Sequence, residues 1–114
     1  MPWLRREAAA LGFALDPETF PESLAELAKS CRLLLVLVPS HGFRAVVREL
    51  GKTVDGEHVV IHGTKGLEEE THKRMTEILR EETCLRKIGV LSGPNLSHEL
   101  AQRKPAGTLV ASRY

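Results

Sequence analysis

Hydrophobic residues in this chain follow two periods, which alternate along the sequence. Residues 33–38 are an uninterrupted aliphatic run, which predicts a strand covered on both faces by helices. Apolar positions then fall at i, i+3, i+4 and i+7 over residues 43–50, which predicts one face of a helix that ends at Gly51. A change from strand spacing to helix spacing within about twenty residues is typical of a βα unit.

The same alternation continues towards the C-terminus. Strands are predicted at residues 58–62, 88–91 and 108–111, each separated from the next by a segment with helical spacing. Strands that alternate with helices indicate βαβ units and a parallel sheet. The predicted fold class is therefore α/β, a Rossmann-like parallel sheet with flanking helices.

Four further helices complete this prediction. One covers residues 3–11, and a second begins at Thr19, whose side chain and that of Glu22 could form a capping box, and runs to Lys29. A third has acidic residues 68–70 in its first turn, where they suit the positive end of the helix dipole. The fourth is short and follows residue 95. The core-facing residues predicted for the third helix are Leu67, Thr71, Met75, Ile78 and Leu79, and those of the fourth are Leu96 and Leu100.

Composition narrows the class of protein. The 114 residues are 42% hydrophobic and 27% charged, which suits one globular domain. A net charge of +1 and the absence of a basic block argue against nucleic-acid binding. The longest aliphatic run is too short for a membrane span. Cys31 and Cys84 form neither a disulfide framework nor a metal motif, and the first residues lack an apolar signal core, so a reducing cytoplasm is expected.

Candidate chemistry lies in three glycine-bearing segments, 39–42, 63–66 and 92–95, each directly after a predicted strand. In an open parallel sheet, ligands bind beyond the carboxyl ends of the strands. Lys65 could hold a phosphate or polarise a carbonyl, although a solvated loop lysine fits the same pattern. Asn95 could bind a substrate hydroxyl or cap the following helix. No metal site is predicted.

Taken together, the three segments resemble a known family. Residues 35–44 resemble the AVPSHAFR stretch of the NAD(P)-dependent glycerol-3-phosphate dehydrogenases, 62–68 resemble their ATKGLE block, and 90–101 are similar to their VLSGPTFAKELA block. The blocks come in the family's order with similar spacing. The resemblance covers about residues 20–112.

The resemblance implies reversible hydride transfer between sn-glycerol 3-phosphate and dihydroxyacetone phosphate, with NAD or NADP as cofactor. Glycerol 3-phosphate feeds phospholipid synthesis. The matched lysine, Lys65, contacts both substrate and cofactor in the family. Asn95 stands where bacterial members usually carry Ser or Thr, and Ser97 stands where the family usually has Ala. The resemblance assigns Lys65, Gly93 and Asn95 to the substrate, and Lys65, Ser97, Phe43 and Ser40 to the cofactor, with a core role left open for Phe43.

The chain also departs from the family pattern. No GxG occurs anywhere in the sequence, so the family's first strand and GxGxxG pyrophosphate loop are not recognisable. The family's helical C-terminal domain, with its proton-accepting lysine, has no counterpart here. The expectation is one partial nucleotide-binding domain over residues 1–114 that is inactive alone. The alternative is a non-catalytic α/β module that binds a phosphorylated ligand or a partner chain, including a second copy through exposed sheet edges. The choice between NAD and NADP stays open.

Overall fold

A computed structural model describes residues 23–114, so the predicted helix over 3–11 and the predicted cap at Thr19 lie outside the described residues. The first described helix begins at Leu24, where the Ser23 hydroxyl accepts the backbone N–H of Glu26 at 3.1 Å. In chain order the elements are α1 (Leu24–Ser30), β1 (Leu33–Val36), α2 (Ser40–Gly51), β2 (Val59–His62), α3 (Met75–Glu82), β3 (Lys87–Ser92), α4 (Ser97–Ala101) and β4 (Leu109–Ser112).

The four strands form one sheet in the order β1-β2-β3-β4. The predicted parallel pairing is confirmed for the first three strands, whose register aligns Val36 with His62 and His62 with Val90. The fourth strand is antiparallel to β3, which corrects the expectation of a wholly parallel sheet. The connection holds only the five-residue α4 and no helix that runs back along the sheet, so the chain enters β4 beside the carboxyl end of β3, where Ser92 pairs with Leu109.

The two faces of the sheet differ sharply in burial. Leu34 and Val36 are buried against the helices, whereas Leu33 and Leu35 are each 57% exposed on the opposite face. Side chains alternate along a strand, so a single covered face produces this pattern. The prediction that residues 33–38 are covered on both faces is therefore wrong within the part of the chain that the structure describes.

Helices α1, α2 and α3 share one hydrophobic core with the covered face of the sheet. The helix predicted over 43–50 is confirmed, and its stripe buries Phe43, Val47 and Leu50. It begins earlier than predicted, at Ser40, so residues 40–42 belong to a helix instead of a loop. No helix in the described region is both long and apolar enough to cross a membrane. The buried core residues are Ala28, Leu34, Val36, Phe43, Val47, Leu50, Val54, Val60, Met75, Ile78, Leu79, Leu85 and Ile88.

Two predicted helices differ from the observed ones. The third predicted helix begins only at Met75, and both Leu67 and Thr71 are exposed in the preceding loop. That loop closes on itself through a bridge between Leu67 and Arg74, and the Glu77 carboxylate accepts the Arg74 backbone N–H at 2.8 Å, which fixes the later helix start. At α4, the N-cap residue Leu96 and the helical residue Leu100, both predicted to face inward, are instead 50% and 43% exposed.

Candidate functional site

The carboxyl ends of β1, β2 and β3 bring the three glycine-bearing segments to one edge of the sheet. The Thr64 hydroxyl donates to the Val38 carbonyl at 2.6 Å, and the Gly63 N–H donates to the Val36 carbonyl at 3.0 Å. These bonds hold the start of the β2–α3 loop against the end of β1. The ends of β1 and β2 are therefore joined by hydrogen bonds at the edge predicted from the sequence.

Lys65 lies at the centre of this edge. Its side chain is exposed and has no hydrogen bond or ion pair with any residue in 23–114. The next residue, Gly66, has φ +89°, a conformation that L side chains rarely adopt, and the space around its Cα is open. The backbone thus turns away directly after Lys65 and leaves its ammonium group free to meet a ligand.

Arg44 and Glu68 form an ion pair close in sequence to Lys65, and the sequence analysis assigned neither residue to the site. The Arg44 guanidinium donates from Nε to Glu68 Oε1 at 2.6 Å and from Nη2 to Glu68 Oε2 at 2.7 Å. This two-pronged contact, helped by the Thr71 hydroxyl, lowers the pKa of Glu68 to about 2. Their separation of 24 residues explains why no local pattern reveals the pair.

Gly93 and Asn95 lie in the turn after β3, against the start of β4. Gly93 has φ +145°, and a Cβ there would overlap the Gly107 carbonyl oxygen. The Asn95 amide oxygen accepts the Thr108 hydroxyl at 3.2 Å. Asn95 does not cap α4, whose N-cap is Leu96, so the capping alternative is wrong. Its amide nitrogen takes part in no hydrogen bond with a described residue.

The remaining candidates differ in accessibility. Ser97 is exposed at the first position of α4, and Ser40 is partly exposed at the first position of α2. Ser40 lines a groove of about 310 Å³ whose opposite wall is residues 68–70. Phe43 has no exposed surface and packs edge-to-face on His62, with ring centroids 5.7 Å apart. Of the two roles left open for Phe43, the structure assigns it the core role, with no ring face towards solvent.

His62 is a buried polar residue at the last position of β2, three residues before Lys65. Its Nε2 lies 2.9 Å from the Thr76 hydroxyl, and its Nδ1 has no hydrogen-bond partner among residues 23–114. Burial lowers its pKa, with a smaller opposing effect from the Thr64 backbone. An uncharged imidazole therefore packs against Phe43 at the carboxyl end of β2.

The donor groups of this edge fit part of a phosphorylated ligand or nicotinamide cofactor. A free ammonium group, an accessible glycine turn and an amide side chain suit oxyanions and hydroxyls. Within the described residues no three His, Cys, Asp or Glu side chains come together as metal ligands do. The dinucleotide's pyrophosphate has no matching glycine motif in the sequence.

Comparison with known proteins gives a consistent result. A profile of the NAD-dependent glycerol-3-phosphate dehydrogenase N-terminus matches residues 13–114. The glycerol-3-phosphate dehydrogenase [NAD(P)+] of Acinetobacter baylyi is 41% identical over 101 residues, 88% of this chain and 28% of that protein. The enzyme of the same name from Corynebacterium glutamicum is 33% identical, over 96% of this chain and 38% of its own length.

Solved structures agree with the sequence comparison. The crystal structure of glycerol-3-phosphate dehydrogenase from Coxiella burnetii superposes with a TM-score of 0.73 and 27% identity, and the match covers 96% of this chain and 36% of that one. The chain thus spans 28% to 38% of the length of these relatives. On the match over residues 13–114, the chain belongs to the NAD-dependent glycerol-3-phosphate dehydrogenase family, in its N-terminal part.

Proposed function

We propose that the carboxyl edge around Lys65 binds sn-glycerol 3-phosphate or dihydroxyacetone phosphate together with the nicotinamide end of NAD or NADP. The observation that carries the proposal is an exposed, unpaired lysine on a loop tied to the ends of two strands. The family match to residues 13–114 supports hydride transfer between these two compounds as the reaction that the edge serves.

In this proposal the chain's residues bind and orient the substrate. The Lys65 ammonium lies near the substrate oxygen, where it stabilises the negative charge that develops when a carbonyl accepts hydride. The Gly93 backbone and the Asn95 amide bind the substrate's polar groups. The cofactor supplies or accepts the hydride, and Lys65, Ser97 and Ser40 contact it while Phe43 supports the edge from the core.

We further propose that residues 1–114 alone do not turn over substrate and represent one partial nucleotide-binding domain. The chain contains no GxG for the pyrophosphate and spans 28% to 38% of the relatives named above. The test follows NADH and NADPH oxidation with dihydroxyacetone phosphate, with a full-length relative as positive control. We expect no turnover above the protein-free rate, and rates near those of the control would contradict this.

Ligand binding is tested separately from turnover. Calorimetric titrations with dihydroxyacetone phosphate, glycerol 3-phosphate, NADH and NADPH measure each affinity, and inorganic phosphate is the control for a general anion site. We expect the phosphorylated three-carbon compounds to bind more tightly than phosphate. The ratio of the NADH and NADPH affinities gives the cofactor preference. Equal affinity for all anions would argue against a substrate site.

A second candidate function, a non-catalytic module that pairs with a second copy of the chain, rests on the uncovered face of the sheet. Leu33 and Leu35 are each 57% exposed there, and β1 is an edge strand of the described sheet. Natural proteins usually cover such edges. If copies associate here, light scattering gives a dimer mass and Leu35→Lys gives a monomer. Ala45→Lys, on the exposed side of α2, is the control. A stable wild-type monomer would contradict this candidate.

We also propose a cytoplasmic location. Cys31 and Cys84 are both free and exposed, which suits a reducing compartment.

A further inference from the structure

The segment that carries Lys65 has little regular structure of its own. Between the end of β2 at His62 and the start of α3 at Met75, one isolated bridge joins Leu67 to Arg74. A loop of this length places a side chain reproducibly only when contacts elsewhere hold it. The position of Lys65 therefore depends on the anchors on either side of it.

The anchor on the N-terminal side is the Thr64 hydroxyl, which donates to the Val38 carbonyl at 2.6 Å. The anchor on the C-terminal side is Glu68, three residues after Lys65, and both of its oxygens accept hydrogen bonds from Arg44. Glu68 is also fixed through its backbone, since its N–H donates to the Lys73 carbonyl at 2.9 Å. Lys65 thus lies between two side-chain anchors on neighbouring elements.

Arg44 is itself held in place by α3. Its third nitrogen, Nη1, donates to Glu82 Oε1 at 2.5 Å and to Glu81 Oε2 at 3.1 Å. The adjacent residue, Phe43, is fully buried, so the backbone that carries the guanidinium belongs to the rigid core. All three guanidinium nitrogens are engaged, with side-chain exposures of 24% for Arg44 and 16% for Glu68. Contacts outside the loop therefore hold the guanidinium group that binds Glu68.

We propose that Arg44 and Glu68 are positioning residues that fix Lys65 at the substrate edge. The inference rests on the proposed function of Lys65 and assigns the pair a role in ligand affinity as well as in stability. Neither residue touches the ligand. Arg44 acts through Glu68, and Glu68 acts through the three-residue link to Lys65.

The chain offers a matched control in Arg48, one turn further along α2. Arg48 also makes a two-pronged contact, from Nε and Nη2 to Glu82 at 2.9 Å each, but it has no hydrogen bond or ion pair with the described β2–α3 loop. Arg48→Gln therefore removes an ion pair between α2 and α3 and the same formal charge as Arg44→Gln. A merely structural role for Arg44 predicts that the two variants behave alike.

The experiment measures nuclear magnetic relaxation of the backbone amides of residues 64–67 and the affinity for dihydroxyacetone phosphate in the 114-residue chain. In the wild type we expect amide order parameters of about 0.85, and in Arg44→Gln values below about 0.6 with the affinity about tenfold weaker. Glu68→Gln should match Arg44→Gln, and the double variant should be no worse than either one. Arg48→Gln should keep the order parameters and change the affinity less than about twofold.

Arg44→Lys separates geometry from charge. It keeps the positive charge, but a compact ammonium group lacks the planar fork that places separate nitrogens on the Glu68 and Glu82 oxygens, so the affinity should stay weakened. The proposal is overturned if Arg44→Gln lowers the melting temperature and leaves the order parameters and the affinity unchanged. If the wild type binds no dihydroxyacetone phosphate, the proposed function itself fails and the positioning role falls with it.

Discussion

Each end of the sheet has a buried histidine, but the two ends differ in whether their polar groups have hydrogen-bond partners. At the amino end, His58 Nε2 donates to the Ala28 carbonyl at 2.8 Å and Nδ1 lies 2.7 Å from Asp55 Oδ1. At the carboxyl end, Lys65 has no partner and His62 Nδ1 has none, in each case among residues 23–114.

The two ends therefore differ in their unpaired polar groups, of which Lys65 is exposed and the His62 nitrogen is buried. Buried polar groups normally have hydrogen-bond partners, and glycines with positive φ often occur where the backbone turns tightly or approaches a ligand. The carboxyl end has both an orphaned imidazole nitrogen and two glycines, Gly66 and Gly93, with positive φ. These features agree with the proposal that the carboxyl end of the sheet binds a ligand.

Two glycines at opposite ends give the largest expected effect. Gly93→Ala forces a Cβ into the Gly107 carbonyl oxygen at φ +145°, so we expect a loss of about 2–4 kcal/mol in the free energy of unfolding. Gly56→Ala, in the turn before β2, meets no atom within 4 Å and should cost less than about 0.5 kcal/mol. Urea denaturation of both variants checks this. Equal midpoints would contradict the requirement for glycine at position 93.

His58, just before β2, and His62, at its end, predict opposite pH dependences of the free energy of unfolding. The Ala28 carbonyl, followed by Asp55, raises the pKa of His58, so its stabilising contribution is complete below about pH 6.5 and is lost as pH rises through the raised pKa. Burial lowers the pKa of His62, so the folded state loses stability as pH falls below about 6.5 towards the lowered value.

Replacing each histidine with a residue that does not titrate exposes this contrast. Relative to the wild type, His58→Asn should be most destabilising at acidic pH, and His62→Gln should become relatively more stable as the pH falls. Denaturant unfolding at several pH values between about 5 and 8 measures both differences. If the stability of both variants changed with pH in the same way, the opposite pKa shifts of His58 and His62 would be contradicted.

Ser97 gives the smallest expected effect. It is exposed at the first position of α4, where the family resemblance places a small residue beside the cofactor. Ser97→Ala should change the NADH affinity by less than about threefold, because only one solvated hydroxyl is removed. Fluorescence titration with NADH measures the change. A loss of about tenfold or more would mean that this hydroxyl has become a main contact of the cofactor.

The sequence predicts the parts of the fold that depend on local spacing. The stripe of α2 is such a part, because apolar residues at helical spacing bury Phe43, Val47 and Leu50 as expected. The direction of β4 was not predictable, since residues 108–111 have the same pattern in either direction and the path of the connecting segment decides. The acidic run 68–70 resembled a helix start, but Glu68 is bound to Arg44 instead.

In the candidate site too, local features could be predicted from the sequence and long-range contacts could not. Glycine-bearing segments after strands indicated the edge, and Lys65 and Gly66 indeed lie exposed there. The pairs that shape the edge, such as Arg44 with Glu68, join residues far apart in the sequence. Long-range contacts of this kind leave no periodic signal, so they could not be predicted from spacing.

The most direct test of the central claim compares two lysines by calorimetry with dihydroxyacetone phosphate. Lys65→Ala and Lys104→Ala each remove one exposed positive charge, but only Lys65 lies on the loop between β2 and α3. We predict that Lys65→Ala weakens binding by about tenfold or more, while Lys104→Ala changes it by less than about twofold. Equal affinities for the two variants, or no binding by the wild type, would contradict the assignment of the substrate edge to Lys65.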